Sequence, residues 1–334
     1  MTSDTLGGGG TRGSRTSAWL CALGVAAISC ALIACGGSTT RDAGPGDSGA
    51  GDSNRVDAGP TEPADLSVVT WNLKNFFDSS DDPSTFDDVP SASRVTRKVN
   101  AVGRVLADLD ADVIVLQEVE NVGMLNRLAD GPLAGKGYDQ RVLMDAFDPR
   151  GINVGFLSRL PVLRTASHFD EWFPNATDTQ DWRFARDAPE IFVDVGGFTV
   201  IVMGVHFLSQ LAGDAEQRER RLAEALQVRR ILDQRVAFGN TLAVLAGDFN
   251  DVPRSPPYAA LLDNGGLVDI TLAVPESGRY TTDFRGVRRQ FDYILATPAM
   301  AAFVVTSSVR IARGSGVDDA SDHDPVFARF HLVP

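Results

Sequence analysis

Ser321-Asp322-His323-Asp324-Pro325-Val326 lies between two apolar runs, Phe303-Val304-Val305 before it and Val326-Phe327-Ala328 leading into Phe330 after it. His323 is one of four histidines in the chain, with a carboxylate on each side. At the mouth of a buried strand, such a pair makes a general base. The imidazole takes a proton, and a neighbouring acid sets its tautomer and stabilises the charged ring. One motif is weak evidence, and an ordinary loop histidine explains it as well. The rest of the chain decides.

Working outward, hydrophobic periodicity places a buried strand at 66–71, running into Asn72-Leu73-Lys74-Asn75-Phe76-Phe77-Asp78. Val95, Val99, Val102, Val105 and Leu106 recur at helical spacing within 93–109. Further strands are expected at 112–119, 140–144, 153–158, 191–195, 199–207, 241–246, 279–283, 290–296, 303–311 and 327–332. A short helix is expected near 124–129. A long one at 214–235 has Leu222, Ala225, Leu226 and Ile231 as its inner face. Most strands follow one another without an intervening helix. The pattern predicts α+β layering with mainly antiparallel sheets, not a doubly wound parallel sheet.

The polar residues at these strand ends form a pattern. Asn72, Glu118, His206, Asp248, Asn250, Asp292 and His323 all fall at or near the end of an apolar run. Each alone has a plain structural explanation as a cap, turn or ion pair. Together, so many polar groups at the ends of buried strands imply one polar cluster on top of a layered core.

The N-terminal part has a different character. Residues 1–17 are polar, with Arg12 and Arg15 as the only cations, and the nearly wholly apolar 18–34 ends Leu32-Ile33-Ala34-Cys35. This describes a secretory leader over residues 1–35. Its end resembles the lipobox of bacterial lipoproteins, with Cys35 as the acylated residue and membrane anchor. A plain signal peptide or an uncleaved anchor is the alternative. The expected location is the cell envelope, at the outer membrane or cell surface, or secreted. All three cysteines lie in this leader, so the remaining chain has no disulfide. Residues 36–65 are rich in Gly, Asp, Ser, Ala and Pro and are expected to form a disordered tether. Residues 66–334 are expected to fold as one domain, as a monomer.

The chain carries a formal charge of −13, and removing residues 1–35 leaves 43 acids against 29 bases. That argues against a protein holding nucleic acid by a broad basic surface. It suits an enzyme that meets phosphates through metal ions and a few placed cations.

The order of motifs carries a family resemblance. Trp71-Asn72-Leu73-Lys74-Asn75-Phe76-Phe77-Asp78, Leu116-Gln117-Glu118-Val119-Glu120-Asn121, Gly151-Ile152-Asn153-Val154-Gly155-Phe156-Leu157-Ser158-Arg159, Gly247-Asp248-Phe249-Asn250, Phe291-Asp292-Tyr293-Ile294 and Ser321-Asp322-His323-Asp324-Pro325-Val326 resemble the endonuclease/exonuclease/phosphatase (DNase I-like) superfamily. The resemblance covers residues 66–333. It implies a four-layer α/β/β/α sandwich and a divalent-metal-dependent phosphodiester hydrolase.

It also implies roles. Glu118 would be the main ligand of magnesium, with manganese or calcium as substitutes, Asn72 close by and Asp322 supporting the metal side. His323, oriented by Asp292, would activate water. Asp248 and Asn250 would position the nucleophile and hold the phosphate. His206 would act as the second acid/base group, and Arg186 would bind phosphate. The chain departs from DNase I-like nucleases where a glutamate should support His206, so Asn153 or another group must do so. It also lacks features of abasic-site endonucleases and inositol polyphosphate 5-phosphatases. An exported nuclease acting on DNA or RNA is the first expectation, and a secreted phosphodiesterase or phosphatase for lipid headgroups or nucleotides the second. A metal-free binding module is the reading from another class, and the retention of Glu118, His206, Asp248, Asp292 and His323 argues against it. The aromatic loop through Trp172, Phe173, Trp182 and Phe184 would stack on bases, touch lipid, or pack on itself.

Overall fold

The computed structural model describes residues 59–334 except 147 and 211–212. The leader with Cys35 and most of the tether therefore lie outside the described residues. Strand Ala64–Phe76 starts two residues before the expected boundary, with Ala64 and Asp65 paired to Leu332 and His331.

Two six-stranded sheets share one plan. The first runs Arg310–Ile311, Val326–Leu332, Ala64–Phe76, Val113–Val119, Asn153–Ser158, Gln140–Leu143. The second runs Val268–Asp269, Asp292–Ala296, Ala243–Asp248, Phe198–His206, Glu190–Val195, Val162–Ala166. In each, one central pair is parallel, Ala64–Phe76 with Val113–Val119 and Phe198–His206 with Ala243–Asp248, and every other pairing is antiparallel. A parallel pair needs a crossover. Helices Ala92–Leu109 and Ala215–Ala237 supply the two crossovers.

Side-chain alternation builds the layers. Val68, Val115, Val202, Val244 and Ala246 point between the sheets, in one core. Val69, Trp71, Ile114 and Leu116 point the other way, onto helix Ala92–Leu109 and helix Val122–Asp130. Ile201, Met203 and Leu245 do the same toward helix Ala215–Ala237 and helix Pro256–Leu262. The result is the expected α/β/β/α sandwich. Gly204 lets the sheets close up, since a Cβ there would lie 2.6 Å from Val154 Cγ1 and 2.9 Å from Val115 Cγ1.

Three local expectations need correction. In helix Ala215–Ala237, Leu226 faces out at 40% exposure, whereas Arg221, Glu224 and Gln227 are buried. Glu224 accepts from Ala185 N and Leu208 N, and Arg221 donates to Asp251 and to the carbonyls of Leu208 and Ser209. The helix spends its inner face fastening loops. Residues 303–311 are not one strand. Ser308 Oγ donates to Val305 O and accepts from Arg329 N, and a 3-10 turn Thr306–Ser308 interrupts the ladder. The expected strand at 279–283 is instead half of a hairpin, Thr282–Phe284 with Val287–Arg289, turned at Arg285-Gly286 with both residues at positive φ. Edge strand Val162–Ala166 adds to the expected set. In the aromatic loop, Phe173, Trp182 and Phe184 pack into the core, while Trp172 stays 63% exposed beneath the Arg183 guanidinium.

Because Gly204 is filled on all sides, Gly204→Leu should lower the unfolding free energy by about 1–3 kcal/mol in urea denaturation. Leu226→Ser should stay within about 0.5 kcal/mol of the parent. Equal effects would contradict this packing.

Candidate active site

The ends of the two parallel pairs meet at one edge of the sandwich. In the first sheet, Asn72 is in register with Gln117, next to Glu118. In the second, Asp248 is in register with His206 on one side and Asp292 on the other. Gly247 allows this, since its φ is +156° and a Cβ would meet Val205 O at 2.0 Å. His323 arrives just before strand Val326–Leu332. Trp71 Nε1 donates to its carbonyl at 2.7 Å, and Ser321 Oγ donates to Asn72 O at 2.7 Å. The loop carrying His323 is thus pinned to the strand carrying Asn72.

The sheets are joined at the site by one amide. Asn72 Nδ2 lies 3.0 Å from Asp248 Oδ2 and 3.3 Å from Glu118 Oε1. Glu118 also accepts from Asn75 N at 2.8 Å, and Asp248 from Asn250 N at 2.7 Å. Lys74, Asn75, Glu118 and Asn250 all hold positive φ. Such backbone is uncommon for non-glycine residues and persists only where surrounding contacts impose it.

His323 Nδ1 sits 2.8 Å from Asp292 Oδ2, and Asp292 is fully buried. Burial opposes charge on His323, but Asp292, by its charge and hydrogen bond, then Asp248 and Asp322, raise its pKa to about 10. Burial, with repulsion from Asp292, lifts Asp248 to about 7. His206 is the opposite case. Its burial, then the charges of Arg186, Arg150 and His323, press its pKa well below the usual value. Nε2 lies 3.7 Å from Asp248 and 3.9 Å from Glu118, and Nδ1 is buried without a partner among the described residues. Asn153 does not support it, being bonded to Ala146 N and Glu120 O. His206 is thereby kept neutral beside the carboxylates of Asp248 and Glu118.

Two expected residues stand elsewhere than the resemblance implied. Arg186 is buried, with Nε 3.0 Å from Asp148 Oδ2 and Nη1 donating to Phe207 O at 3.0 Å. It ties down the loop after His206 instead of presenting a free fork to phosphate. Asp322 is half exposed and ion-paired with Lys74, on the rim. The cation facing the carboxylates is Arg150, 42% exposed, with Nη2 3.8 Å from Glu118 Oε1 and Nη1 3.3 Å from Asn75 Oδ1. Its sequence signal is its place directly before Gly151-Ile152-Asn153. Asn250 donates to Phe207 O at 2.9 Å and so braces the same loop as Arg186.

The residues fit a divalent cation. Carboxylate oxygens of Glu118 and Asp248 converge on the Asn72 amide nitrogen, Asp292 Oδ1 is buried without a partner among the described residues, and ligand atoms of Asp248, Asp292 and His323 all lie within 4.8 Å of one another. An oxygen-rich donor set with room for water suits a hard cation. Glu118, oriented by the Asn72 amide, would hold it beside Asp248. When bound, it would neutralise charge developing on the phosphoryl oxygens.

Fold and site together define a metal-dependent phosphoric ester hydrolase. The chain belongs to the endonuclease/exonuclease/phosphatase family, whose pattern matches residues 69–323. Among solved structures it resembles a family member from Beutenbergia cavernae at 25% identity and TM-score 0.56, covering 80% of this chain and 72% of that one. It also resembles truncated TDP2 from Caenorhabditis elegans at 16% identity and TM-score 0.56, over 80% and 98% of the two chains. A mannosyl-6-phosphatase from Bacteroides thetaiotaomicron matches at 16% identity and TM-score 0.54, over 80% and 100%. No curated protein matches the chain in sequence.

The His323 couple gives a pH signature. A raised folded-state pKa contributes stability fully present below the unfolded value near 6.5 and lost as pH rises through about 10. In EDTA-treated protein, His323 should stay protonated at pH 8 by NMR, and Asp292→Asn should bring its titration down. An unchanged titration would remove Asp292 as its partner.

Proposed function

We propose that the protein is an exported nuclease that hydrolyses phosphodiester bonds in DNA or RNA. Phosphodiester hydrolysis needs a water deprotonated on one side, charge neutralised on the phosphoryl oxygens, and a leaving oxygen stabilised on the other. His323, set by Asp292, would take the proton from water in its neutral form, which positive charge at a filled cation site would favour by offsetting Asp248 and Asp322. Arg150 and the cation site at Glu118 and Asn72 would meet the phosphoryl charge. His206 would hydrogen-bond the leaving oxygen. Asp248 would order the nucleophile, while Asn250 and Arg186 hold the surrounding loops.

The observation that favours nucleic acid over a small ester is a cleft beside Asn75, whose backbone N–H donates to Glu118. It is lined by Lys74, Asn75, Arg94 and Lys98, with Asp88 as its one acid. Burial lowers Lys98 to about 8 against the pull of Asp322 and Glu118. A small monoester has nothing to place there, whereas a polynucleotide continues past the scissile bond. Export rests on the apolar leader and Cys35.

Purified protein should release acid-soluble product from duplex DNA with magnesium, and EDTA or His323→Ala should abolish it. The same assay with intact expressing cells checks export, since external DNA should then be degraded. Activity on bis-p-nitrophenyl phosphate without DNA cleavage would move the substrate to small or lipid phosphodiesters. Inactivity on both would favour a binding module.

A further inference from the structure

The outward face of helix Ala92–Leu109 is an unusual surface for so acidic a chain. Arg94, Arg97 and Arg104 are exposed on it, and with Lys98 they line a shallow trough whose one acid is Asp319. Arg94 and Lys98 line both this trough and the cleft beside Asn75, the residue whose backbone binds Glu118, so the two run together. Among the described residues, the side chains of Arg94, Arg97 and Arg104 make no hydrogen bond or ion pair.

This arrangement works against the helix. Arg94 to Arg97 and Arg94 to Lys98 are like-charge pairs at three and four residues, each unfavourable by about 0.2–0.5 kcal/mol. The first turn contains no acid, so Arg94 sits against the positive end of the helix dipole. The opposite face, with Val95, Val99, Val102 and Leu106, is buried and accounts for the helix being there. It does not account for the cations. An anionic ligand along the trough would compensate them.

We propose that this face is an exosite for the phosphate backbone of a polynucleotide, gripping the strand to one side of the scissile bond. The inference rests on the nuclease reading and specifies the substrate as a chain rather than a nucleotide. From Arg94 to Arg104 the helix rises about 15 Å at ~1.5 Å per residue. That reaches about four phosphates of one duplex strand at ~3.4 Å spacing. The contacts are to backbone, so they add affinity and register without base sequence. They also explain how a chain of net charge −13 can hold DNA at all.

The test compares wild type with Arg97→Gln/Arg104→Gln, two exposed positions away from the reacting atoms. In the wild type, KM for DNA should fall with substrate length and rise steeply with salt. In the double variant the length dependence should flatten, and the slope of log KM against log salt should drop by about 2, at ~0.9 for each phosphate no longer neutralised. The kcat on long duplex should be unchanged. Unaltered length and salt dependence in a variant that still cleaves DNA would overturn the exosite and leave the nuclease reading standing. Failure of the wild type to cleave any polynucleotide would overturn both. Loss of binding to anionic lipid vesicles, with DNA kinetics unchanged, would assign the face to a membrane surface and also overturn it.

Discussion

The Asn72 amide touches a carboxylate of each sheet, Glu118 on one side and Asp248 on the other. Around it, Asp248 and Asp292 are buried and Glu118 is nearly so, at one edge of the sandwich. Two like charges about 4 Å apart repel by about 4 kcal/mol at an effective dielectric near 20. A neutral donor, a charged His323 and the nearby Arg150 are what the chain itself sets against that repulsion. Burial first, and repulsion from Asp292 second, lift Asp248 to about 7. An oxygen-rich site left short of positive charge is poised for a divalent cation and for a phosphate bound through it.

The fold makes this concentration of charge achievable. Each sheet contributes one parallel pair, and the paired strands end together, so Asn72 with Glu118 and His206 with Asp248 come to the same edge. The crossover helices then do unequal work. Helix Ala215–Ala237 buries Arg221 and Glu224 to hold the loops around His206, and Arg186 with Asp148 completes that scaffold. Helix Ala92–Leu109 keeps an apolar inner face and leaves its outer face to cations.

The sandwich and the cluster are legible in the sequence because both follow from local pattern. Apolar runs mark most strands, and polar residues at their ends mark Asn72, Glu118, His206, Asp248, Asp292 and His323. What escapes a sequence reading depends on long-range partners. Nothing local says that Arg186 meets Asp148, or that Arg150 turns to Glu118. The buried polar face of helix Ala215–Ala237 defeats a hydrophobicity reading, because its residues bond to loop backbone. Helix Pro256–Leu262 is different. Its Ser255 cap and Pro256 at the first turn are a start signal that needs no distant partner, yet its apolar pattern is too short to stand out.

Glu118, held by Asn72 and Asn75, stands where it would anchor a divalent cation. Calorimetric titration of magnesium into the protein and into Glu118→Gln tests it most directly. One site is expected in the parent and a loss of affinity of at least about tenfold in the variant, with the fold unchanged by circular dichroism. Equal magnesium binding by both proteins would contradict it.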